Sequence, residues 1–153
     1  MTDATATTPA FNIQKIFVLD QSFEAPHSPD AFTGTWAPEA NLEMNISFEK
    51  LDESTYQVVL KMTVTTKNQD KTAFIIELKQ AGIFTLQNIP ADQVEPLLLA
   101  YCPNTLFPYA RENIATAVFR GGFPELNLSP VNFDALYWQS KQQQAAPQTT
   151  TVN

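Results

Sequence analysis

ANLEMNISFEKLDESTYQVVLKMTVT, residues 40–65, decides the fold. Before the turn its even positions are Ala40, Leu42, Met44, Ile46 and Phe48, and its odd ones are Asn41, Glu43, Asn45 and Ser47. The pattern resumes at Tyr56, Val58, Leu60, Met62 and Val64, against Thr55, Gln57, Lys61, Thr63 and Thr65, with Val59 alone out of step. Successive side chains of a strand point to opposite faces, so a period of two gives each strand one apolar and one polar face. That is the signature of an antiparallel sheet with one face buried and one wet. Residues 51–54 are short enough to be the turn of a hairpin.

Working outward, residues 67–71 turn the chain again into residues 72–86. There Phe74, Ile76 and Leu78 take one face, and Ile75, Glu77 and Lys79 the other. Upstream, residues 11–24 also have strand composition. Phe11, Ile13, Phe17 and Phe23 share one parity, and Gln14, Asp20, Ser22 and Glu24 the other. Ile16 and Val18 blur the alternation, as a bulge or burial on both faces would. Residues 25–38, APHSPDAFTGTWAP, form a proline-punctuated loop carrying Phe32 and Trp36. Taken in chain order, the four strands read as an antiparallel meander.

Downstream the pattern becomes helical. Pro90 suits a first helical turn and Asp92 the positive end of the helix dipole, with Pro96 expected to distort that helix. Then comes YCPNTLFPYARENIATAVFRGGFPELNLSP, residues 101–130. Pro103 and Pro108 argue against one continuous helix, because proline removes a donor and clashes with the preceding turn. Residues 113–120 are helical, with Ile114, Ala117 and Val118 on one face, and Gly121-Gly122 stop them. The expectation is a broken segment whose Tyr101, Phe107, Tyr109, Phe119 and Phe123 either complete a core or line a groove. Asn132 is a candidate N-cap for a last helix over residues 133 to about 143, with Phe133, Leu136 and Tyr137 as its apolar stripe. The fold class is α+β: a four-stranded antiparallel meander with two to three helices packed on one face.

The chain of 153 residues, 44% hydrophobic, suits one domain over residues 11–144. Residues 1–10 read as a disordered arm and residues 145–153 as a disordered polar tail. A net charge of −7, from 9 basic and 16 acidic residues, argues against a phosphate-backbone partner. If a partner docks by charge, it should be basic. The opening MTDATATTPA lacks a basic region followed by an apolar run, so no secretory signal is read there. No apolar run approaches membrane-spanning length, and the simplest compartment is the cytoplasm.

Candidate chemistry is sparse. One cysteine and one histidine give neither a disulfide framework nor a metal cluster, and neither metal nor cofactor is expected. Cys102 as nucleophile with His27 as base is weighed against a small buried hydrophobe, and the latter is preferred. Glu49, Asp52 and Glu53 fall in a turn, where solvated charge is the ordinary reading. There is no phosphate loop and no nucleophile elbow, so an enzyme is not expected. Ile75 is more informative, since parity puts it beside Glu77 on the wet face. Asp20 and Glu24 share a parity on the first strand. If those strands are neighbours, an acidic patch with an apolar centre results; otherwise these are scattered surface residues. The aromatic surplus (Phe32, Trp36, Phe107, Tyr109, Phe119, Phe123, Tyr137 and Trp138) is a second clue, with a plain core as its simpler account.

Four stretches carry a family resemblance: SFEAP at residues 22–26, AYCPN at 100–104, LFPYARE at 106–112 and FPELNLSPVNFDAL at 123–136. Over residues 11–144 the chain resembles SecB, the family of bacterial cytosolic chaperones of protein export. The resemblance implies a non-enzymatic holdase that forms a homotetramer, a dimer of dimers. It also implies binding of unfolded precursor proteins in grooves between helices and sheet, and their delivery to the SecA motor ATPase at the membrane. The positions matching the family's SecA contacts are Asp20, Glu24, Ile75 and Glu77. Those resembling its substrate contacts are Trp36, Leu42 and Met44, to which the aromatic stretch adds Phe107 and Phe119. Family tails tend to be acidic and to make a second SecA contact; residues 145–153 carry no charged side chain, which leaves that contact open. The alternative is a hot-dog-like thioesterase or small-ligand binder. It would need a histidine or carboxylate aimed into a pocket from the helix, where this chain offers only Glu112 beside Arg111.

Overall fold

The strand with the most buried residues lies inside the sheet. In the computed structural model, which describes residues 8–145, β1 (Ala10–Glu24), β2 (Pro38–Lys50), β3 (Thr55–Asn68) and β4 (Lys71–Gln87) form one antiparallel sheet in the order β1-β4-β3-β2. The meander is therefore confined to β2–β4. The first strand does not pair with the second, as a full meander requires, but crosses over through residues 25–37 to flank β4. Three hairpin-connected strands with a fourth returning beside the far end make a Greek key. The long β1–β2 loop permits this, and β4, buried at 10 of its 17 positions, gains a neighbour on each side.

Two bulges rephase β1. The register passes from Ile13↔Phe84 to Lys15↔Ile83 and from Val18↔Gln80 to Asp20↔Lys79, leaving Gln14 and Leu19 unpaired. Phe17 consequently pairs with Ala81 on the outer face, whereas Phe11 and Phe23 pack against the core. The expected grouping of Phe17 with Phe11 and Phe23 is corrected by the bulge between them.

The inner face is covered by a single helical rod. It runs through α1 (Ala91–Pro96), a π-helical turn (Leu97–Tyr101) and α2 (Cys102–Arg120) without interruption. This overturns the expected break. The π turn is closed by the Cys102 N–H on the Leu97 carbonyl, and Pro103 follows directly as the second residue of α2, beside this local change of hydrogen-bond pattern. Pro108 sits exposed inside α2. Its penalty is set against a ladder in which Leu98, Cys102, Leu106, Ala110, Ile114 and Val118 are all 0% exposed. Burying a large apolar side chain contributes about 1.5–3 kcal/mol, so the ladder outweighs one interior proline at about 3 kcal/mol. The rod lies close to the sheet at Gly82, where a Cβ would stand 3.1 Å from Leu106 and 2.7 Å from the Phe84 ring.

A polar pin crosses this interface. Asn113 Nδ2 of α2 donates to Gln80 Oε1 at 2.7 Å, and Gln80 Nε2 donates to the Phe17 carbonyl at 3.1 Å. Three elements are thus joined through a side chain only 2% exposed. The rod ends in a Schellman motif: Phe123 N–H bonds to Val118 O (3.3 Å), Gly122 N–H to Phe119 O (3.0 Å), and Gly122 takes φ +92°. That turn delivers Phe123 back to the core. As expected, Asn132 Oδ1 caps the last helix, α3 (Phe133–Ala145), accepting from Ala135 N–H at 3.0 Å.

The expected arm and tail fall largely outside the described residues. Where they can be followed, Ala10 already pairs with Gln87, and Asn88 Nδ2 donates to the Thr8 carbonyl at 3.1 Å.

Candidate functional site

The sheet register tests the acidic patch directly, because residues opposite each other on paired strands share a face. Glu24 is opposite Ile75, Ser22 opposite Glu77, and Asp20 opposite Lys79. All four expected residues (Asp20, Glu24, Ile75 and Glu77) therefore lie together on the outer face, away from the rod. The rows continue across the sheet as Glu24–Ile75–Thr65–Asn41, Ser22–Glu77–Thr63–Glu43 and Asp20–Lys79–Lys61–Asn45. They add three residues that sequence reading missed: Glu43 extends the acidic side, and Lys79 and Lys61 face each other beside Asp20. Their signal was in the register rather than in the composition. Asp20, Glu24 and Glu77 are exposed, and Ile75 is half-buried among them. Among the described residues the one ion pair closed is Lys141–Glu95 on α3 and α1, so none of the three acids is neutralised by a salt bridge.

The opposite side of the molecule is aromatic. Phe123 gathers Phe32 at 4.9 Å, Phe74 at 4.9 Å, Trp36 at 5.6 Å and Phe23 at 6.5 Å between ring centres. At its margin Trp36, Pro38, Ala40, Phe74, Pro124 and Leu126 surround a hollow of about 210 Å³. Thr66 also lines it, and its hydroxyl is buried without a hydrogen-bond partner in the protein. From Ala40 the same face of β2 runs on through Leu42 and Met44, both half-buried and paired with Val64 and Met62. The structure thus brings Trp36, Leu42 and Met44 to one side.

The two residues added from the aromatic stretch part company. Phe119 is 70% exposed and lines a separate hollow of about 620 Å³ on the outward side of α2, with Pro108, Arg111, Glu112 and Thr116. Glu125 borders both hollows. Phe107 is 5% exposed, stacked edge-on against Phe133 at 5.8 Å. It is a core residue, a correction whose reason is α3: Phe107 lies off the sheet-facing ladder, about 100° round the helix from Leu106, and Phe133 covers it there. A third hollow, about 670 Å³, opens between the start of the rod and α3, walled by Pro96, Leu97, Tyr101, Phe133 and Trp138.

The enzymatic candidates are not assembled. Cys102 is fully buried and its thiol is pushed up to about 12 by desolvation. His27 lies at the surface with Nδ1 2.9 Å from the Thr72 carbonyl. Glu112 is exposed on the outward side of α2 rather than aimed at an enclosed pocket. Among the described residues, no group of three His, Cys, Asp or Glu side chains is placed to hold a metal ion. No described helix is long and apolar enough to cross a membrane.

Comparison with known proteins agrees with this architecture. A SecB-like chaperone of Mycobacterium tuberculosis, solved in complex with a ChAD peptide from the HigA1 antitoxin, superposes with a TM-score of 0.67 over 79% of this chain and 90% of that one, at 18% identity. That likeness concerns the fold. In sequence, the protein-export proteins SecB of Legionella pneumophila strains Corby, Lens and Paris are each 48% identical over 146 residues, covering 94% of this chain and 90% of theirs. The family described as preprotein translocase subunit SecB matches residues 4–144, and the chain belongs to that family.

Proposed function

We propose that this protein is a holdase of protein export: it binds precursor proteins before they fold and passes them to the SecA ATPase. The observation that carries the reading is the 48% identity, over nearly the whole chain, to SecB proteins of export. The geometry supports a division of labour between two faces. The aromatic side offers Trp36, Leu42 and Met44 to unfolded chains, and the outward side of α2 offers Phe119, by non-directional apolar attraction that suits many sequences. Phe107, buried against Phe133, is left out of that surface. The outer face presents Asp20, Glu24 and Glu77 around Ile75 to a basic surface of SecA. Assembly is a homotetramer built from dimers. Both sheet edges are unpaired among the described residues, and Ile13, Val18 and Leu19 on edge strand β1 are 44–48% exposed. The protein works in the cytoplasm, uses neither cofactor nor metal, and catalyses no reaction.

Titration with a slow-folding precursor tests the reading. The denatured precursor should be captured and its native form ignored. Leu42→Asp should weaken capture, because it sets an unpaired charge in an apolar contact. Equal binding of native and denatured forms would overturn the proposal.

A further inference from the structure

The loop that carries Trp36 has no ladder to hold it. The β2–β3 register ends at Pro38↔Asn68, and proline has no N–H to extend it. Beyond that point one side chain takes over. Asn68 Oδ1 accepts from Ala37 N–H at 2.8 Å, and Asn68 Nδ2 donates to the Thr35 carbonyl at 3.0 Å. These are the two backbone groups flanking Trp36, so the carboxamide stands in for the next rung of the sheet. Asn68 is itself fixed by the tight turn after it, where Gln69 and Asp70 take φ 53° and 64°. Clamped on both sides, Trp36 has its indole set against Phe123 at 5.6 Å, forming a wall of the 210 Å³ hollow.

We infer that Asn68 is a positioning residue for recognition: it preorganises Trp36 as a wall of the hollow that receives apolar side chains of an unfolded chain. The inference rests on the client-binding role proposed for the aromatic face. Preorganisation raises affinity because the loop need not be ordered when the client arrives. A client side chain then meets a rigid aromatic wall rather than a mobile one.

The protein has two tryptophans, so a Trp138→Phe background leaves Trp36 as the sole reporter. In that background Asn68→Ala and Asn68→Asp are compared with the parent. The aspartate keeps the acceptor for Ala37 but turns a carboxylate oxygen on the Thr35 carbonyl. Acrylamide quenching of Trp36 should rise in both. Affinity for reduced, carboxymethylated α-lactalbumin, a permanently unfolded probe, should fall about threefold, the scale of one or two exposed hydrogen bonds. If Asn68 acts through the indole, Asn68→Ala should cost nothing further in a Trp36→Ala background, a non-additivity that a general loss of stability would not give. Unchanged quenching in both variants, or additive losses, would overturn the inference. A Trp36→Ala variant that binds the probe like the parent would instead overturn the client reading of the hollow, while quenching still judges the clamp.

Discussion

Removing the Asn113 amide should loosen the helical rod from the sheet by an amount the structure sets. Asn113 Nδ2 is the donor to Gln80 Oε1, at 2.7 Å, and Gln80 is 2% exposed. In Asn113→Ala that acceptor stays buried without its partner. The penalty for such a group is about 1–3 kcal/mol, larger than the net worth of an ordinary hydrogen bond, because desolvation is no longer offset. For a chain of this size each kcal/mol moves the melting temperature by about 2–4 °C. Replacing the acceptor as well removes the cause. Gln80→Leu with Asn113→Ala leaves only the Phe17 carbonyl short of a side-chain donor, and carbonyls tolerate that better than amides do. The double variant should therefore be more stable than the sum of the two single losses, by about 1 kcal/mol. The assay is urea unfolding of all four proteins at one protomer concentration, since assembly makes stability concentration-dependent. Losses that add within about 0.3 kcal/mol would refute the pin as a coupled unit.

Three further outcomes are expected. Thr66→Val deletes a buried hydroxyl that has no partner, so it should raise stability by about 1 kcal/mol in urea unfolding, and a loss would mean the hydroxyl is satisfied. The Cys102 thiol, held at about 12 by burial, should resist a thiol reagent at about pH 8 until the protein is unfolded; rapid labelling of the native protein would contradict the packing of the rod. Docking of α3 should be pH-dependent through Glu95, whose pKa is lowered first of all by the Lys141 hydrogen bond and which also accepts from Tyr137. A depressed carboxylate stabilises above its unfolded pKa, near 4.5, and loses that contribution as pH falls through its folded value. Amide exchange over residues 133–145, corrected for intrinsic rate, should accelerate below pH 4.5, and Glu95→Gln should abolish the dependence.

The hairpins are legible because alternation is a local signal, and residues 40–65 carry it almost without fault. Strand order is not, since it depends on which edge β1 reaches after a long loop. The continuity of the rod is hidden for a specific reason. The ladder Leu98, Cys102, Leu106, Ala110, Ile114, Val118 stands in the sequence at a spacing of four, but Pro103 and Pro108 over the same residues argue against it. A strict four-residue spacing drifts about 40° per step on an α-helix, and the wider π turn offsets part of that drift. At the site, parity groups Asp20 with Glu24 and Ile75 with Glu77, and only the bulge-corrected register joins the two pairs. Asn68 carries no sequence signal, because its partners lie 31 and 33 residues away on a loop without periodicity.

The central claim is that clients and SecA are received on opposite faces of one sheet, and Glu77→Lys tests it most directly. Glu77 lies on the outer face between Ser22 and Thr63, on the side of the sheet opposite the Trp36 hollow. Reversing its charge adds repulsion to lost attraction toward a basic partner. Affinities for SecA and for a denatured precursor are to be measured side by side on the parent and the variant, at low and physiological salt. The account predicts a loss of SecA affinity, a weaker salt dependence of what remains, and unchanged precursor binding. Loss of precursor binding with SecA affinity retained would contradict it and exchange the roles of the two faces.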